Sequence, residues 1–272
     1  VTKEEKHLTR GRANTLRLAL SGQLGPDAIS TQEMAETMDL CVSCKGCKRE
    51  CPTGVDMARM KIEVKHALLK KNGLSMRDRL VGLLPRYAEF ASRFYFLSNL
   101  RDKIPYLPWL SEKILGFSAK RALPIWHSEP FRASEASIKP REKNVVLLAD
   151  TFNTYFEPEN LRSALRILEA GNYCVHIIAP ENYNGRRLCC GRTYLSAGLV
   201  DEARESAEAM VAAYKPYIDK GMMVVGLEPS CLHTLRDEFL AITPSLDSEN
   251  LANGALMLEE FLVREQQNGN LD

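Results

Sequence analysis

Four cysteines stand close together in Cys41-Val-Ser-Cys44-Lys-Gly-Cys47-Lys-Arg-Glu-Cys51, and Pro52 follows the last. The spacing C-x2-C-x2-C-x3-C-P is that of a bacterial-type ligand loop for a [4Fe–4S] cluster. Each iron of such a cube needs one outer thiolate, and short spacers let successive thiolates turn towards neighbouring corners. Gly46 relieves crowding where backbone passes the cluster, and Pro52 directs the chain away after the last ligand. A structural zinc site also uses four thiolates, but it usually presents two separated C-x2-C pairs across a longer loop.

A second group comprises Cys189-Cys190-Gly191 and Glu228-Pro-Ser-Cys231. Buried core thiols are one reading of these residues. A site is the other, since Cys231 opens a helical stretch, where a thiol pKa is expected to fall. Cys174 lies inside an apolar run and reads as core. His176 and His233 have no spaced partner and read as structural.

The elements that must position these groups change character along the chain. Residues 1–40 read as helical, with Arg12 to Leu20 ended by Gly22 and Gly25-Pro26. Ser30-Thr-Gln-Glu33 reads as a capping box, after which Met34 and Met38 recur at helical spacing into Cys41. Asp56 is the expected N-cap of a second helix stopped at Gly73, with Met57, Met60, Val64 and Leu68 on one face. That stripe suits a core and also suits a water-excluding cover over a cluster. Lys45, Lys48, Arg49, Arg59, Lys61 and Lys65 make this part basic: a solvated face, a source of potential favouring reduced cluster, or a docking surface for an acidic or flavin-bearing partner.

Residues 74–140 are punctuated by prolines and hold Phe90, Phe94, Tyr95, Phe96, Tyr106 and Trp109. They read as short amphipathic helices whose aromatics fill an inter-domain core, an aromatic face for a membrane or quinone being the other reading, and a boundary is expected within Ser134 to Lys143. From Asn144 the pattern is α/β. Strands are expected at Val145 to Leu148, Tyr173 to Ile178 and Met222 to Leu227, and helices at Asn160 to Ala170, Asp201 to Ala213 and Ser230 to Leu240. Strand–helix alternation implies a mainly parallel sheet. Asp150-Thr151, Cys189-Cys190 and Cys231 should then converge beyond the carboxyl ends of the strands.

The 272 residues are 45% hydrophobic and 26% charged with a net charge of +1, so chain-level charge does not point to nucleic acid. Eight cysteines, seven of them in two groups, favour metal chemistry in a reducing compartment over a disulfide framework. No apolar run is long enough to span a membrane. Val1-Thr-Lys-Glu-Glu-Lys has neither initiator Met nor signal-peptide character, so a fragment of a longer chain is expected.

Cys189-Cys-Gly-Arg192 with Glu228-Pro-Ser-Cys231 resembles the cysteine-rich CCG domain of heterodisulfide reductase subunits and of the iron–sulfur parts of glycolate and lactate oxidases. Taken with Thr9-Arg-Gly-Arg-Ala-Asn14 and the Cys41–Cys51 loop, nearly the whole chain resembles the C-terminal iron–sulfur region of an FAD-linked 2-hydroxy acid dehydrogenase, of the fused D-lactate or D-2-hydroxyglutarate type. The resemblance implies an α-helical ferredoxin-like domain over 1–85, a helical connector over 86–140 and an α/β CCG domain over 141–272. It implies a [4Fe–4S] cluster on Cys41, Cys44, Cys47 and Cys51, and FAD on an upstream domain of the longer chain. Electrons would pass from reduced flavin to a quinone or carrier protein, in the cytoplasm or at the inner face of the membrane, and this chain alone would not turn over substrate. Two departures stand out. The family's module carries two four-cysteine loops where this chain has one, and Thr151 and Thr234 stand near positions where the fuller CCG pattern has cysteines. At Cys189, Cys190 and Cys231, zinc, a redox pair and a substrate-side role stay open. A thiol–disulfide domain and a zinc-stabilised interaction module are the alternative readings of the chain.

Overall fold

The helix Thr9–Leu20 (α1) opens the first of two units into which the chain divides, 1–82 with 194–200 and 83–193 with 201–272. The computed structural model describes residues 2–136, 140–178 and 188–271. Part of the expected boundary (137–139) and of the loop after the second strand (179–187) therefore lies outside the described residues.

In the first unit α1 is followed by Gln32–Asp39 (α2), Gly46–Glu50 (α3), Met57–Asn72 (α4) and Met76–Gly82 (α5). The motif at Thr9–Asn14 has a packing cause. A Cβ on Gly11 would meet the carbonyl oxygen of Glu5 at 1.9 Å, so only glycine allows that approach. Arg12 is buried and donates from Nε to the carbonyl of Thr37 at 3.0 Å, tying α1 to the end of α2. The N-cap of α2 is Thr31, which accepts from the Met34 amide at 3.2 Å, one residue later than the expected box at Ser30. Ser30 instead ends a 3-10 turn, Ala28–Ser30. Leu16, Met34, Met38, Met57 and Val64 form the core. Met60 departs from the expected stripe and is exposed, because three residues on from Met57 it falls just beyond the buried arc that Val64 continues.

The second unit begins with three short helices, Leu84–Arg93 (α6), Tyr95–Ser98 (α7) and Leu107–Leu115 (α8). The aromatics expected in a core here are exposed: Phe90, Phe94, Tyr95, Phe96, Tyr106 and Trp109 all face outward. Where α6 buries side chains they are small, Pro85, Ala88 and Ser92, and neither α7 nor α8 buries any. The expected connector, 86–140, falls in this unit together with the α/β part.

Four parallel strands form the sheet: Lys143–Leu147 (β1), Tyr173–His176 (β2), Met223–Gly226 (β3) and Ala255–Met257 (β4), in the order β2-β1-β3-β4. Between them run Thr151–Tyr155 (α9), Pro158–Ala170 (α10), Arg192–Ser196 (α11) and Val200–Ile218 (α12). Beyond β3 come Pro229–His233 (α13), a π-helical turn at Thr234–Glu238, Phe239–Ile242 (α14), Leu246–Gly254 (α15) and, after β4, Leu258–Gln267 (α16). Apolar clusters cover both faces of the sheet, which is why β1 and β3 read as unbroken apolar runs. The α/β expectation is borne out, and β4 is an addition to it. Three residues following Asn253-Gly254 are too short a run to carry a strand signal.

Candidate functional sites

The cysteine loop of the first unit hangs between α2 and α4. Ser43 (φ 57°) and Lys45 (φ 58°) both adopt the left-handed conformation. For non-glycine residues that costs about 1–2 kcal/mol each, a strain that tends to persist where function requires the turn. The turns lead into α3, a single helical turn that puts Cys47 and Cys51 at its two ends. Cys41 and Cys47 pack on the methionine core, and Cys44 is exposed. Lys61 reaches from α4 to donate to the carbonyls of Cys41 (2.6 Å) and Asp39 (3.1 Å), fixing the entry of the loop. Its ammonium is pushed below the usual lysine range, chiefly by burial. The Cys47 sulfur accepts the Met57 amide at 3.3 Å.

At the fourth cysteine, Sγ lies 3.1 Å from the Thr53 hydroxyl. Bonds from that hydroxyl and from the amides of Val55, Thr53 and Gly54 hold the Cys51 thiol below its usual pKa. Backbone amides converging on a sulfur favour thiolate, the form a soft metal takes. The donor set therefore suits an iron–sulfur group by its chemistry. It is not a preassembled cage: among the described residues no three His, Cys, Asp or Glu side chains are grouped to hold an ion. Lys61 and Arg12 position this loop, and sequence reading alone did not single them out for that role. A lysine on an amphipathic helix or an arginine in a helical motif carries no local sign that its partner is a backbone carbonyl 20 or more residues away.

The second site lies in the second unit, where β1 and β3 are neighbours whose onward connections lead to opposite sides of the sheet. Such a switch point opens a crevice beyond the strand ends. Asp150 follows β1 and caps α9, its carboxylate accepting from the amides of Phe152 (2.9 Å) and Asn153 (3.0 Å) and from the Asn153 side chain (2.7 Å). Glu228 follows β3 and accepts from the amide (3.2 Å) and hydroxyl (2.6 Å) of Ser230, setting Cys231 in the first turn of α13. Cys189 and Cys190 arrive on the β2-to-β3 crossover. There Ser206 donates to the Cys189 carbonyl at 2.7 Å, and the Gly191 amide donates to the Cys189 sulfur at 3.4 Å. Asp150, Thr151, Cys189, Cys190, Arg192 and Cys231 line one small cleft, so the expected convergence occurs.

The charge state of that cleft differs from expectation. A bond with Cys190 draws the Cys231 thiol down, but burial and the nearby Asp150, Cys189 and Glu228 outweigh it, and its pKa lies above the usual value. The helix start is too weak a local field to offset removal from water. The Cys189 thiol is raised by its bond to Cys190 and then by burial; Cys190 is helped by Cys189 but raised more by Cys231 and burial. Asp150 is also raised, mainly by burial, with Glu228 adding to it. All three thiols stand protonated at neutral pH. Thr151 donates to the Cys189 sulfur at 4.0 Å, a long contact, and Thr234 spends its hydroxyl on the Ser230 carbonyl at 2.7 Å. Neither supplies the soft ligand a cysteine there would. Cys174 is buried in β2, as expected for core.

Residues 2–56 match the 4Fe–4S dicluster domain family. The chain is 23% identical over 237 residues to a probable glycolate oxidase iron–sulfur subunit of Bacillus subtilis, an alignment covering 78% of this chain and 49% of that protein. It is 21% identical over 245 residues to a D-2-hydroxyglutarate dehydrogenase of Escherichia coli, covering 86% of this chain and 23% of that protein. A D-2-hydroxyglutarate dehydrogenase of Pseudomonas putida is 22% identical over 305 residues, covering 90% of this chain and 28% of that protein. The chain thus spans half or less of the length of these curated relatives, and no solved structure matches it. The resemblance to the iron–sulfur region of such a dehydrogenase is borne out: residues 2–56 match a 4Fe–4S dicluster domain, and the chain is similar over most of its length to oxidoreductases, one of them named as an iron–sulfur subunit.

Proposed function

We propose that this chain is the electron-relay part of a flavin-linked 2-hydroxy acid dehydrogenase, with Cys41, Cys44, Cys47 and Cys51 as thiolate ligands of iron–sulfur chemistry. The observation that carries the reading is the four-cysteine loop itself, which lies inside the dicluster match and is held by two left-handed turns. When bound, the cluster supplies one-electron carriage between a two-electron donor and the next acceptor. The chain's own residues prepare the place. Lys61 fixes the Cys41 backbone, the Thr53–Val55 amides favour Cys51 as thiolate, and the core of Met34, Met38 and Met57 keeps water from the inner side of the loop. FAD on another domain of the longer protein is the electron donor, and a quinone or carrier protein the acceptor. The division into a ferredoxin-like region to about residue 85, a connector to 140 and a CCG-type region beyond belongs to the same reading.

Cys189, Cys190 and Cys231 form a second thiol site in this proposal. Their raised pKa values speak against a fast thiol–disulfide centre, which needs a substantial thiolate fraction near neutral pH. The test is anaerobic reconstitution followed by iron, sulfide and zinc analysis of the chain and of Cys44→Ser. About four irons and four sulfides per cluster, lost in Cys44→Ser, are expected for a thiolate-held cube. Zinc in place of iron would replace this reading with the interaction module.

A further inference from the structure

All six large aromatic side chains exposed among the described residues fall between Phe90 and Trp109. Leu97, Ile104, Leu110 and Ile114 are exposed beside them. In an ordinary surface helix the large apolar groups turn inward and the small or charged ones outward; here α6 buries Pro85, Ala88 and Ser92 and exposes Phe90, and α7 and α8 bury nothing. The segment is nonetheless built. The Phe90 and Phe94 rings lie 4.9 Å apart. From the turn after α7, the Arg101 guanidinium donates to the Ser111 hydroxyl (3.0 Å) and to the carbonyls of Ser118 (2.8 Å) and Arg121 (3.1 Å). Asn99 exchanges two bonds with the backbone of Trp126, whose ring packs 4.5 Å from Phe156 beside the sheet.

Charge completes the pattern. Arg93, Lys103, Lys113, Lys120 and Arg121 are exposed around the aromatics. Two of the acidic groups in this stretch are spent internally, Asp102 on Arg101 and the Leu123 amide, Glu112 on the Ala119 amide. Aromatic and aliphatic side chains interleaved with lysines and arginines match the interface of an anionic bilayer, where rings sit at headgroup depth and cations meet lipid phosphates. Aromatics and arginine also suit a protein partner, but three of the five cations are lysines, which protein–protein interfaces deplete, and that tips the fit to lipid. Among the described residues no helix is long and apolar enough to cross a membrane, so contact would be with the surface. We propose that Leu84–Arg121 is a membrane-docking surface that seats this protein on anionic lipid, independently of whether the cysteine loop carries a cluster.

The test is co-sedimentation of the 272-residue chain with phosphatidylcholine vesicles, with and without phosphatidylglycerol. Binding is expected only with the anionic lipid, weakened by salt. Paired Phe96→Ser and Trp109→Ser should lower partitioning on the order of ten-fold or more, and paired Lys113→Gln and Lys120→Gln on the order of thirty-fold. These side chains are exposed, so circular dichroism of both variants should match the parent. In the parent chain, spin-labelled lipid should quench Trp109 and spare Trp126. No binding to anionic vesicles, binding that both variants retain, or a dimer that Phe96→Ser and Trp109→Ser dissolve would each overturn the proposal.

Discussion

Replacing Gly191 by alanine tests how the loop carrying Cys189 and Cys190 is held. Its φ is 75°, and an added Cβ would lie 3.3 Å from both Cα and the carbonyl oxygen of Ala203, a fully buried residue of α12. Gly221 separates the two costs, because its φ is 79° and nothing lies within 4 Å of the corresponding Cβ. At Gly221 the left-handed backbone costs alanine about 1–2 kcal/mol, partly offset by about 0.4–1 kcal/mol from restricting the unfolded chain. A net loss of about 1 kcal/mol is expected there. At Gly191 the same strain applies, and crowding against helix backbone adds about 1–3 kcal/mol. The expected loss is therefore about 2–4 kcal/mol. Both tryptophans, Trp109 and Trp126, lie in the second unit, so urea unfolding followed by tryptophan fluorescence reads the stability of that unit. Equal losses for the two variants, within about 0.5 kcal/mol, would refute the close-approach argument. A stabilised Gly191→Ala would refute the left-handed geometry as well, since alanine gains only where φ is negative.

In the metal-free chain, Cys41, Cys44, Cys47 and Cys51 should alkylate in a fast phase, and the buried Cys174, Cys189, Cys190 and Cys231 only as the fold opens. Site-resolved mass spectrometry checks this, and a fast Cys231 would restore the thiol–disulfide reading. Glu135 is held below the usual carboxylate range, first by its hydrogen bond from Arg162, whose Nε lies 2.7 Å from Oε2. A depressed carboxyl contributes stability above its unfolded pKa, and that contribution is lost as pH falls through the folded value. Glu135→Gln should therefore cost under about 1 kcal/mol at neutral pH, the pair being partly exposed, a cost that starts to shrink as pH falls past the unfolded carboxyl value of about 4.3 and vanishes below the lower folded value. A deficit that persisted or grew in acid, in the same fluorescence assay, would show that lost packing rather than charge accounts for it.

Chemistry carried by adjacent residues was legible without coordinates. The Cys41–Cys51 loop declares itself because its four cysteines are three or four residues apart, and the spacing alone restricts which metal group it would suit. Three of the four strands were equally legible, since buried parallel strands are continuous apolar runs and the alternation rule sends Asp150, Cys189 and Cys231 to one edge. Tertiary structure decided what depends on surroundings. Cys231 sits at a helix start that by itself would lower its pKa, yet burial beside Cys189, Cys190 and Asp150 raises it. The partners of Arg12 and Lys61 are backbone carbonyls brought close only by folding. Phe90, Tyr106 and Trp109 have the composition of a core and the exposure of a surface. Residue type measures how much a side chain gains by leaving water; only the packed chain determines whether other atoms of the same molecule are there to receive it.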